Sequence, residues 1–372
     1  MHVPFLDLTP TDCEEDRAVE AALTRALRSG TYVLGPEAAA FEAEFAAWLG
    51  AVEGSVVGVG NGFDALHLSL RALRLHHNLP EGAGVVLPAL TCVHTIAAVA
   101  ASGLHPVLAD VDPETLLLSA ETVRAVWNAD CRVVLPVHLY GAPCPPLAIE
   151  DALVLEDCAQ AHGARWGDTP CGLRGTLGAF SFYPTKNLGA VGDGGAVVDP
   201  GGTFRDTLRA LRNYGEDRRY HSVVQGYNSR LDEVQAAVLR ARLPFVDSAN
   251  ARRRALAARY DAAFDSLPLR RTRLPSAATA VHHLYVVRTP RREALRAHLN
   301  DAGIGTAMHY PTPLHLQPAY ATLGYAAGAF PVAEAAAREV FSLPLHPRLS
   351  DAAVDAVIAA VGAFFASRSN LV

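Results

Sequence analysis

Short apolar runs alternate with amphipathic stretches along the chain between about residues 55 and 200. Five runs predict strands: SVVGVGN (55–61), GVVLP (84–88), PVLADV (106–111), VVLPVHLY (133–140) and LVLEDCA (153–159). Two more strands are predicted close together, in AFSFYPT (179–185) and GGAVV (194–198). Because connections of crossover length separate the first five, the pattern predicts an α/β fold with a mainly parallel mixed sheet between helices.

Helical patterns dominate the second half of the chain. They predict helices at 203–213, 230–242, 244–266, 291–302 and 350–368, with one strand in HHLYVVRTP (282–290). A proline-containing stretch of low order, 267–280, follows the long arginine- and alanine-rich helix. We therefore expect a large domain over residues 1–245. A smaller C-terminal α/β domain over 246–372 would include the connecting helix.

Composition narrows the class of protein. The 372 residues are 50% hydrophobic and 19% charged, which is typical of a globular chain rather than a disordered one. The net charge of −6 and the absence of a basic stripe argue against a nucleic-acid partner. The start, MHVPFLDLTP, lacks the basic region of a signal peptide, and the longest apolar stretch is too short to span a bilayer. We expect no membrane partner.

The six cysteines and fifteen histidines show no pattern that favours disulfides or a metal site. No two cysteines form a CxxC pair, and a chain of this size does not need disulfide bonds. No HExxH spacing occurs among the histidines. We expect a cytoplasmic protein with reduced cysteines and without a bound metal.

Lysine is almost absent from the sequence. Of the 32 lysine and arginine residues, Lys186 is the only lysine. A coding bias toward arginine could have left it by chance. Alternatively, this position needs an amine that loses its proton and forms a Schiff base, which a guanidinium cannot do.

The segment NGFDAL (61–66) follows a predicted strand and opens a predicted helix. Backbone amides at a helix N-terminus bind phosphate, and Gly62 allows a close approach of the backbone. An ordinary strand-to-helix turn explains the segment equally well. A dinucleotide site, and with it an NAD-dependent oxidoreductase, is disfavoured because Phe63 stands where GxGxxG has its last glycine.

Asp157 lies at the carboxyl end of a predicted buried strand, in LEDCAQAHGA (155–164). Open α/β sheets bind their ligands at that end, and a buried carboxylate needs a cation such as a protonated ring nitrogen. Gln160 and His162 follow closely enough to face the same pocket. A capping or turn aspartate is the alternative interpretation.

Lys186 lies just beyond a strand in FSFYPTKN (180–187). Strand alternation places Ser181 and Tyr183 on one face of the strand. It places Phe180 and Phe182 on the other face. A hydroxyl and an amine at one strand end suit a phosphorylated aldehyde. The alternative, a solvated surface lysine, is weakened because arginine fills the other cationic positions.

The chain resembles the DegT/DnrJ/EryC1/StrS family of PLP-dependent sugar aminotransferases, which have the aspartate aminotransferase (type I) fold. The shared motifs are FLDLTP (5–10), SGTYVLGPE (29–37), NGFDALHL (61–68), EDCAQAHGA (156–164), FSFYPTKNLGAVGDGGAVV (180–198), LRNYGEDRRYHSVVQGYNSRLDEVQAAVL (211–239), MHYPTPLHLQPAY (308–320) and FSLPLHP (341–347). Their spelling is most similar to the branch that aminates C-3 of dTDP-3-keto-6-deoxyhexoses. A lysine at 186 also differs from the histidine of the family's sugar dehydratases.

The resemblance implies a role for each matched residue of the cofactor site. Lys186 would carry pyridoxal 5′-phosphate (PLP) and shuttle a proton as the cofactor cycles with its amine form (PMP). Asp157 would keep the pyridine nitrogen protonated, and Gln160 would bind the phenolic oxygen. Ser181 and the amides of Gly62 and Phe63 would hold the phosphate.

The resemblance also implies a homodimer with shared active sites, because Asn228 would reach the phosphate of the neighbouring subunit. Tyr183, His309 and Tyr310 match positions that line the sugar pocket, and Arg219 lies where a base could meet the nucleotide pyrophosphate. The expected substrates are a nucleotide-linked keto sugar and L-glutamate. A C-4 keto sugar, a keto-cyclitol, or a non-catalytic PLP-binding regulator remains an alternative.

Three positions differ from the family's usual residues. In TCVHT (91–95), Cys92 occupies the place of an aromatic residue that stacks on the cofactor ring, and His94 replaces a small residue. The stacking is therefore either lost or supplied by His94 or another ring. Phe63 replaces a smaller residue and is expected to crowd the start of the phosphate-binding helix.

Overall fold

A computed structural model describes residues 2–366 of the chain. The helices are α1 (Glu14–Ser29), α2 (Pro36–Leu49), α3 (Gly62–His76), α4 (Val93–Ala101), α5 (Ala120–Arg124), α6 (Arg205–Arg212), α7 (Glu233–Arg242), α8 (Val246–Phe264), α9 (Arg292–Asp301), α10 (Pro331–Glu339) and α11 (Asp351–Ala366). The strands are β1 (Val56–Val59), β2 (Gly84–Pro88), β3 (His105–Ala109), β4 (Cys131–Val134), β5 (Leu153–Asp157), β6 (Arg165–Trp166), β7 (Thr169–Pro170), β8 (Leu177–Ser181), β9 (Gly195–Val198), β10 (Glu216–Arg218), β11 (His221–Ser222), β12 (Arg270–Arg271), β13 (Ala278–Thr279), β14 (Tyr285–Arg288) and β15 (Val340–Leu343).

The central feature is a seven-stranded sheet in the order β1-β9-β8-β5-β4-β2-β3. The pairs from β8 to β3 are parallel, whereas β9 runs antiparallel to both of its neighbours. Most of its strands are buried along their length, as expected for a sheet covered on both faces. The predicted α/β class with a mainly parallel mixed sheet is therefore confirmed.

Two apolar clusters cover the faces of this sheet. The larger includes the buried face of α3, from Leu66 to Leu73, packed with β2, β4 and α4. The other contains the rings of Phe41 and Phe45 on α2, which meet Phe180 and Phe182 edge to face at 5.2–5.5 Å. The alternation predicted for residues 180–183 thus directs Phe180 and Phe182 into the core and leaves Ser181 on the other side.

The C-terminal part builds a separate apolar cluster around a three-stranded sheet, β12-β14-β15. Tyr260 and Phe264 of α8 stack at 5.5 Å and pack with residues of β14, β15, α9 and α11. The sequence predicted one strand here, which was wrong, because β15 pairs antiparallel with β14. The division into domains at residues 245 and 246 stays a prediction.

Other differences from the predicted elements have local causes. The run 133–140 forms strand only to Val134, since Pro136 cannot donate to a ladder and a short 3₁₀ turn follows at Leu139–Gly141. The sequence pattern gave no prediction for α1 and α2. Residues 367 and 368 of the last predicted helix lie outside the described residues. Between residues 2 and 366, no helix combines the length and apolarity needed to cross a membrane.

Candidate active site

The carboxyl ends of two adjacent parallel strands bring the main candidate residues to one edge of the sheet. β5 ends at Asp157 and β8 ends at Ser181, and Asp157 pairs in register with Ala179. Beyond β8 the chain turns, and the Lys186 amide donates to the Tyr183 carbonyl at 2.8 Å. Lys186 therefore lies at the ligand-binding edge of the sheet, as its position after the strand predicted.

Asp157 is a buried carboxylate with few partners. It is 5% exposed, and it accepts hydrogen bonds from the Thr95 hydroxyl at 3.0 Å and the Ala159 amide at 3.1 Å. Burial raises the pKa of Asp157, while these two hydrogen bonds and the charge of Lys186 oppose the rise. A cationic ring nitrogen placed against this carboxylate would offset the cost of its burial.

Burial of Lys186 acts on its own pKa, and its positive charge acts on two neighbouring histidines. Burial lowers the pKa of Lys186, against the opposing charges of Asp157 and Cys92. Burial and the Lys186 charge also lower the pKa of His162 to about 3 and that of His309 to about 4. Both imidazoles are therefore neutral at pH 7, and burial of Lys186 favours the neutral amine that a nucleophilic lysine requires.

A small anion-binding cradle forms where α3 begins against β8. A Cβ atom added to Gly62 would lie 2.5 Å from the Cβ atom of Ser181, so only glycine fits there. The Asn61 side chain caps the helix by accepting from the Asp64 amide at 2.8 Å. The first-turn amides of Gly62 and Phe63 are not needed within the helix, so they can bind an anion together with the Ser181 hydroxyl.

The Phe63 side chain packs against the large apolar cluster, and its ring lies 5.8 Å from the ring of His67. Whether it crowds the helix start, as expected from the sequence, stays a prediction. Its backbone amide is the part of this residue that the cradle can use.

Gln160 connects the strand end with the C-terminal part of the chain. Its side-chain oxygen accepts from the Tyr140 amide at 2.5 Å, and its nitrogen donates to the Tyr310 hydroxyl at 3.1 Å. The second amide hydrogen of Gln160 remains for a ligand oxygen. Gln160 and Tyr310, predicted for the cofactor and the sugar, are thus brought into direct contact.

Cys92 and His94 lie in contact at the start of α4. The Cys92 sulfur is 2.8 Å from His94 Nδ1, and Cys92 also bonds the Tyr310 hydroxyl. Cys92 is partly exposed and His94 is exposed. Because the charges of Lys186 and Asp157 act on His94, the pair lies within the same site.

Two further residues predicted for the sugar pocket lie in different settings. His309 bonds the Ser342 hydroxyl through Nδ1 at 2.8 Å, and its ring stacks on Phe5 at 5.9 Å. Tyr183 lies two residues beyond β8 and is 52% exposed. His309 is therefore held in place, whereas Tyr183 is available to a ligand.

Arg219 and Asn228 are not brought to this edge by contacts within residues 2–366. Arg219 is exposed between β10 and β11, where its guanidinium lies over the ring of Tyr220 at 4.8 Å. Asn228 is exposed and pairs through its backbone with Asn213. Their roles at a shared site stay predictions.

Sequence reasoning missed two residues that hold the site. Thr95 bonds Asp157, and the Tyr140 amide bonds Gln160. Thr95 was visible only as the last residue of TCVHT, because a contact over 62 positions leaves no local signal. Tyr140 has a φ of 62° in a short turn that brings its amide to Gln160.

Behind Asp157, on the opposite side of β5, lies a buried charged cluster. His138 Nε2 is 2.9 Å from Glu156 Oε2, and Glu156 also contacts Arg174 at 3.4 Å. Burial opposes both charges, but Cys171 and then Glu156 raise the pKa of His138 to about 9, while His138 and Arg174 lower that of Glu156 to about 2. Cys158 completes a group with donor atoms within 4.8 Å of one another, and we interpret it as an ion-pair network.

The assembled groups match a phosphorylated heteroaromatic aldehyde. The cradle at Gly62 and Ser181 suits a phosphate, Lys186 offers an amine for a carbonyl, and Asp157 offers a counter-charge for a ring nitrogen. The side-chain nitrogen of Gln160 has one hydrogen without an acceptor within residues 2–366, which can donate to an oxygen on the ring. The chemistry that this set can support is transfer of protons and amines at carbon.

The sequence profile of the DegT/DnrJ/EryC1/StrS aminotransferase family matches residues 13–362. A dTDP-3-amino-3,4,6-trideoxy-alpha-D-glucose transaminase of Streptomyces venezuelae is 45% identical over 93% of this chain and 92% of its own length. The erythromycin biosynthesis sensory transduction protein EryC1 of Saccharopolyspora erythraea is also 45% identical, over 98% of this chain and 100% of its own. The X-ray structure of S. venezuelae DesV in complex with a ketimine intermediate has a TM-score of 0.91 at 44% identity, with 97% of each chain covered.

Proposed function

Because the chain belongs to the DegT/DnrJ/EryC1/StrS aminotransferase family, we propose that it moves an amino group from L-glutamate to C-3 of a dTDP-linked 3-keto-6-deoxyhexose. The observation that carries the proposal is the position of Lys186, the only lysine, on the sheet edge that holds Asp157. The name and 45% identity of the S. venezuelae transaminase support C-3 as the site of amination.

The cofactor is pyridoxal 5′-phosphate, as the family implies. Lys186 would bind its aldehyde, Asp157 its ring nitrogen and Gln160 its phenolic oxygen. Ser181 and the amides that follow Asn61 would hold its phosphate. When bound, the cofactor supplies an aldehyde for amines and a ring that withdraws electrons from the adjacent carbon.

The residues of this chain divide the remaining work. Lys186 Nζ, with its lowered pKa, takes a proton from the donor's α-carbon and returns one to the sugar carbon. Asp157 would remain ionised against a cationic ring nitrogen, and Thr95 holds its carboxylate in place. The neutral His162 and His309 add no positive charge near the amine.

Tyr183, His309 and Tyr310 form the proposed sugar pocket. The hydroxyls of Tyr183 and Tyr310 are donors and acceptors for sugar oxygens. The exposed Arg219 would meet the pyrophosphate, which a guanidinium binds through two parallel hydrogen bonds.

A cleft of about 90 Å³ behind the Lys186 turn supports a dicarboxylate donor. Its lining includes Arg253, Arg348 and His346 together with the carboxylates of Asp7 and Glu15. Arg348 is already paired with Asp16 at 2.6 Å, so Arg253 is the guanidinium left for a ligand. Arg253 is 5% exposed, and its guanidinium has no carboxylate partner within residues 2–366. A carboxylate of L-glutamate would neutralise this buried charge.

We propose a cytoplasmic homodimer in which Asn228 reaches the partner's cofactor site. Tyr220 and Val223, in the exposed region before Asn228, are 84% and 53% exposed, which suits an interface with a second copy. The six cysteines are unpaired, which suits a reducing compartment.

Two alternatives remain testable. A C-4 keto sugar or a keto-cyclitol would use the same residues with the substrate turned in the pocket. The name of the S. erythraea relative favours a regulator as the second candidate. A regulator would bind the cofactor without passing on its amine.

The cofactor half-reaction separates an aminotransferase from a regulator. Adding L-glutamate to the protein with bound pyridoxal phosphate should convert its visible absorbance to that of the amine form and release 2-oxoglutarate. Lys186→Ala should lose the lysine-bound absorbance band and turnover, and Lys186→Arg is the matched control for charge. An unchanged spectrum after glutamate would contradict the proposal.

A further inference from the structure

Cys92 differs from the other five cysteines in its surroundings. Cys131, Cys144, Cys158 and Cys171 are buried. Cys13 is partly exposed, like Cys92, but its sulfur lies 3.2 Å from the Asp16 carboxylate.

The Cys92 sulfur instead has cationic and dipolar neighbours that favour a thiolate. It lies 2.8 Å from His94 Nδ1 and at the N-cap of α4, where the helix dipole is positive. The charge of Lys186 acts on the same sulfur. The Asp157 carboxylate accepts a hydrogen bond from Thr95, and its charge acts on His94. The Tyr310 hydroxyl also contacts the Cys92 sulfur.

The ionisation of the pair agrees with this geometry. Burial opposes the thiolate, but the hydrogen bonds and charge of His94 outweigh it and lower the pKa of Cys92. The hydrogen bond with Cys92 raises the pKa of His94. Both shifts favour the thiolate and imidazolium forms relative to isolated side chains, as in cysteines activated by a neighbouring histidine.

We propose that Cys92 and His94 form a reactive thiol site that peroxides and alkylating electrophiles modify. The site rests on the observed Cys92–His94 contact. Only its shielding by bound pyridoxal phosphate rests on the proposed function, because Lys186 and Gln160 face the same space.

Hydrogen peroxide and iodoacetamide would each react at the Cys92 sulfur. With hydrogen peroxide, the thiolate forms an S–O bond as the O–O bond breaks, so sulfur loses two electrons and peroxide gains them. His94 gives its proton to the departing hydroxide, and the products are a sulfenic acid and water. With iodoacetamide, an S–C bond forms and iodide leaves.

Competitive labelling of the full-length protein tests the proposal, with Cys13 as internal reference. Iodoacetamide at pH 7, followed by peptide mass spectrometry, should label Cys92 about tenfold faster than Cys13. His94→Ala should slow labelling of Cys92 about tenfold and leave Cys13 unchanged, whereas Arg132→Ala, an exposed control, should change neither. Equal rates at Cys92 and Cys13, or no effect of His94→Ala in a protein with unchanged melting temperature, would overturn it.

Peroxide and cofactor provide the second readout. Treatment with hydrogen peroxide and a sulfenic-acid probe should tag Cys92 in the wild type and not in Cys92→Ser. Added pyridoxal phosphate should slow both modifications, and an unchanged rate at saturating cofactor would refute the shielding alone. Labelling does not depend on turnover, so a protein that labels as expected but transfers no amine would refute the proposed function and leave the thiol site standing.

Discussion

The Thr95 hydroxyl donates a hydrogen bond of 3.0 Å to the carboxylate of Asp157, and Thr95 is only 1% exposed. The first turn of α4 thereby fixes the orientation of a carboxylate on β5. Within residues 2–366 the Asp157 carboxylate accepts one further hydrogen bond, from the Ala159 amide, so the Thr95 hydroxyl supplies half of the hydrogen bonds that it accepts. Thr95, which lies 62 positions from Asp157 in the sequence, therefore positions the proposed counter-charge of the cofactor ring.

Thr95→Val should lower kcat about tenfold, because a hydrogen bond to a charged group contributes roughly 1.5 kcal/mol or more. Thr95→Ser keeps the hydroxyl and is the matched control. Steady-state kinetics with L-glutamate would measure the effect. Equal activity of the valine and serine variants would show that Thr95 does not position Asp157.

Asp157→Asn should lower kcat roughly a hundredfold or more, since breaking a buried charge pair costs about 3–5 kcal/mol. The amide has nearly the same shape, so the loss reports on charge rather than packing. Cofactor content, measured by absorbance, separates weak binding from slow chemistry. Wild-type turnover in the asparagine variant would rule out a charged partner for the ring nitrogen.

Gly62→Ala should weaken cofactor binding and destabilise the fold by about 1–3 kcal/mol, because the new Cβ atom would lie 2.5 Å from the Cβ of Ser181. Gly362→Ala is the control, since a Cβ atom added at Gly362 in α11 would have no atom within 4 Å beyond its own stretch of helix backbone. Denaturant unfolding and cofactor titration would measure both variants. A Gly62 variant that behaves like the Gly362 variant would contradict the cradle.

The pair of His138 and Glu156 should make stability depend on pH. The folded pKa of His138 is raised from 6.5 to about 9, so its contribution is present below pH 6.5 and is lost as pH rises through 9. The folded pKa of Glu156 is lowered to about 2, so its contribution is present above its unfolded pKa of 4.5 and is lost as pH falls through 2.

The change between pH 6.5 and 9 should be on the order of 3 kcal/mol for His138. Thermal unfolding at these two pH values should show a smaller decline in His138→Gln than in the wild type. His105→Gln, which changes an exposed histidine, is the control. Parallel pH profiles for wild type and His138→Gln would count against a charged His138.

The sequence predicted those parts of the fold that depend on local pattern. The strand that ends near Asp157 follows from its apolar run, and Lys186 follows from its position after Pro184. The strand predicted over 179–185, however, ends at Ser181 in the structure. The start of α2 could not be predicted in this way. The amides of Gly35, Glu37 and Ala38 donate to the Glu233 carboxylate at 2.8–2.9 Å, and Glu233 lies about 196 positions further along the chain.

The same limit applies to the candidate site. Lys186 and Asp157 stand out by residue type and strand position, whereas the Tyr140 amide reaches Gln160 only through a turn with positive φ. The sequence identified Cys92 and His94 as unusual, but not their contact of 2.8 Å. Such contacts depend on tertiary packing and leave no periodic signal.

Identifying the amino sugar formed from a substrate panel tests the central claim most directly. The holoenzyme is incubated with L-glutamate and matched dTDP-3-keto- and dTDP-4-keto-6-deoxyhexoses, and the products are identified by NMR. We predict a new C–N bond at C-3 with one 2-oxoglutarate released per amine, and no product from Lys186→Ala. An amine at C-4, or turnover without Lys186, would contradict the account.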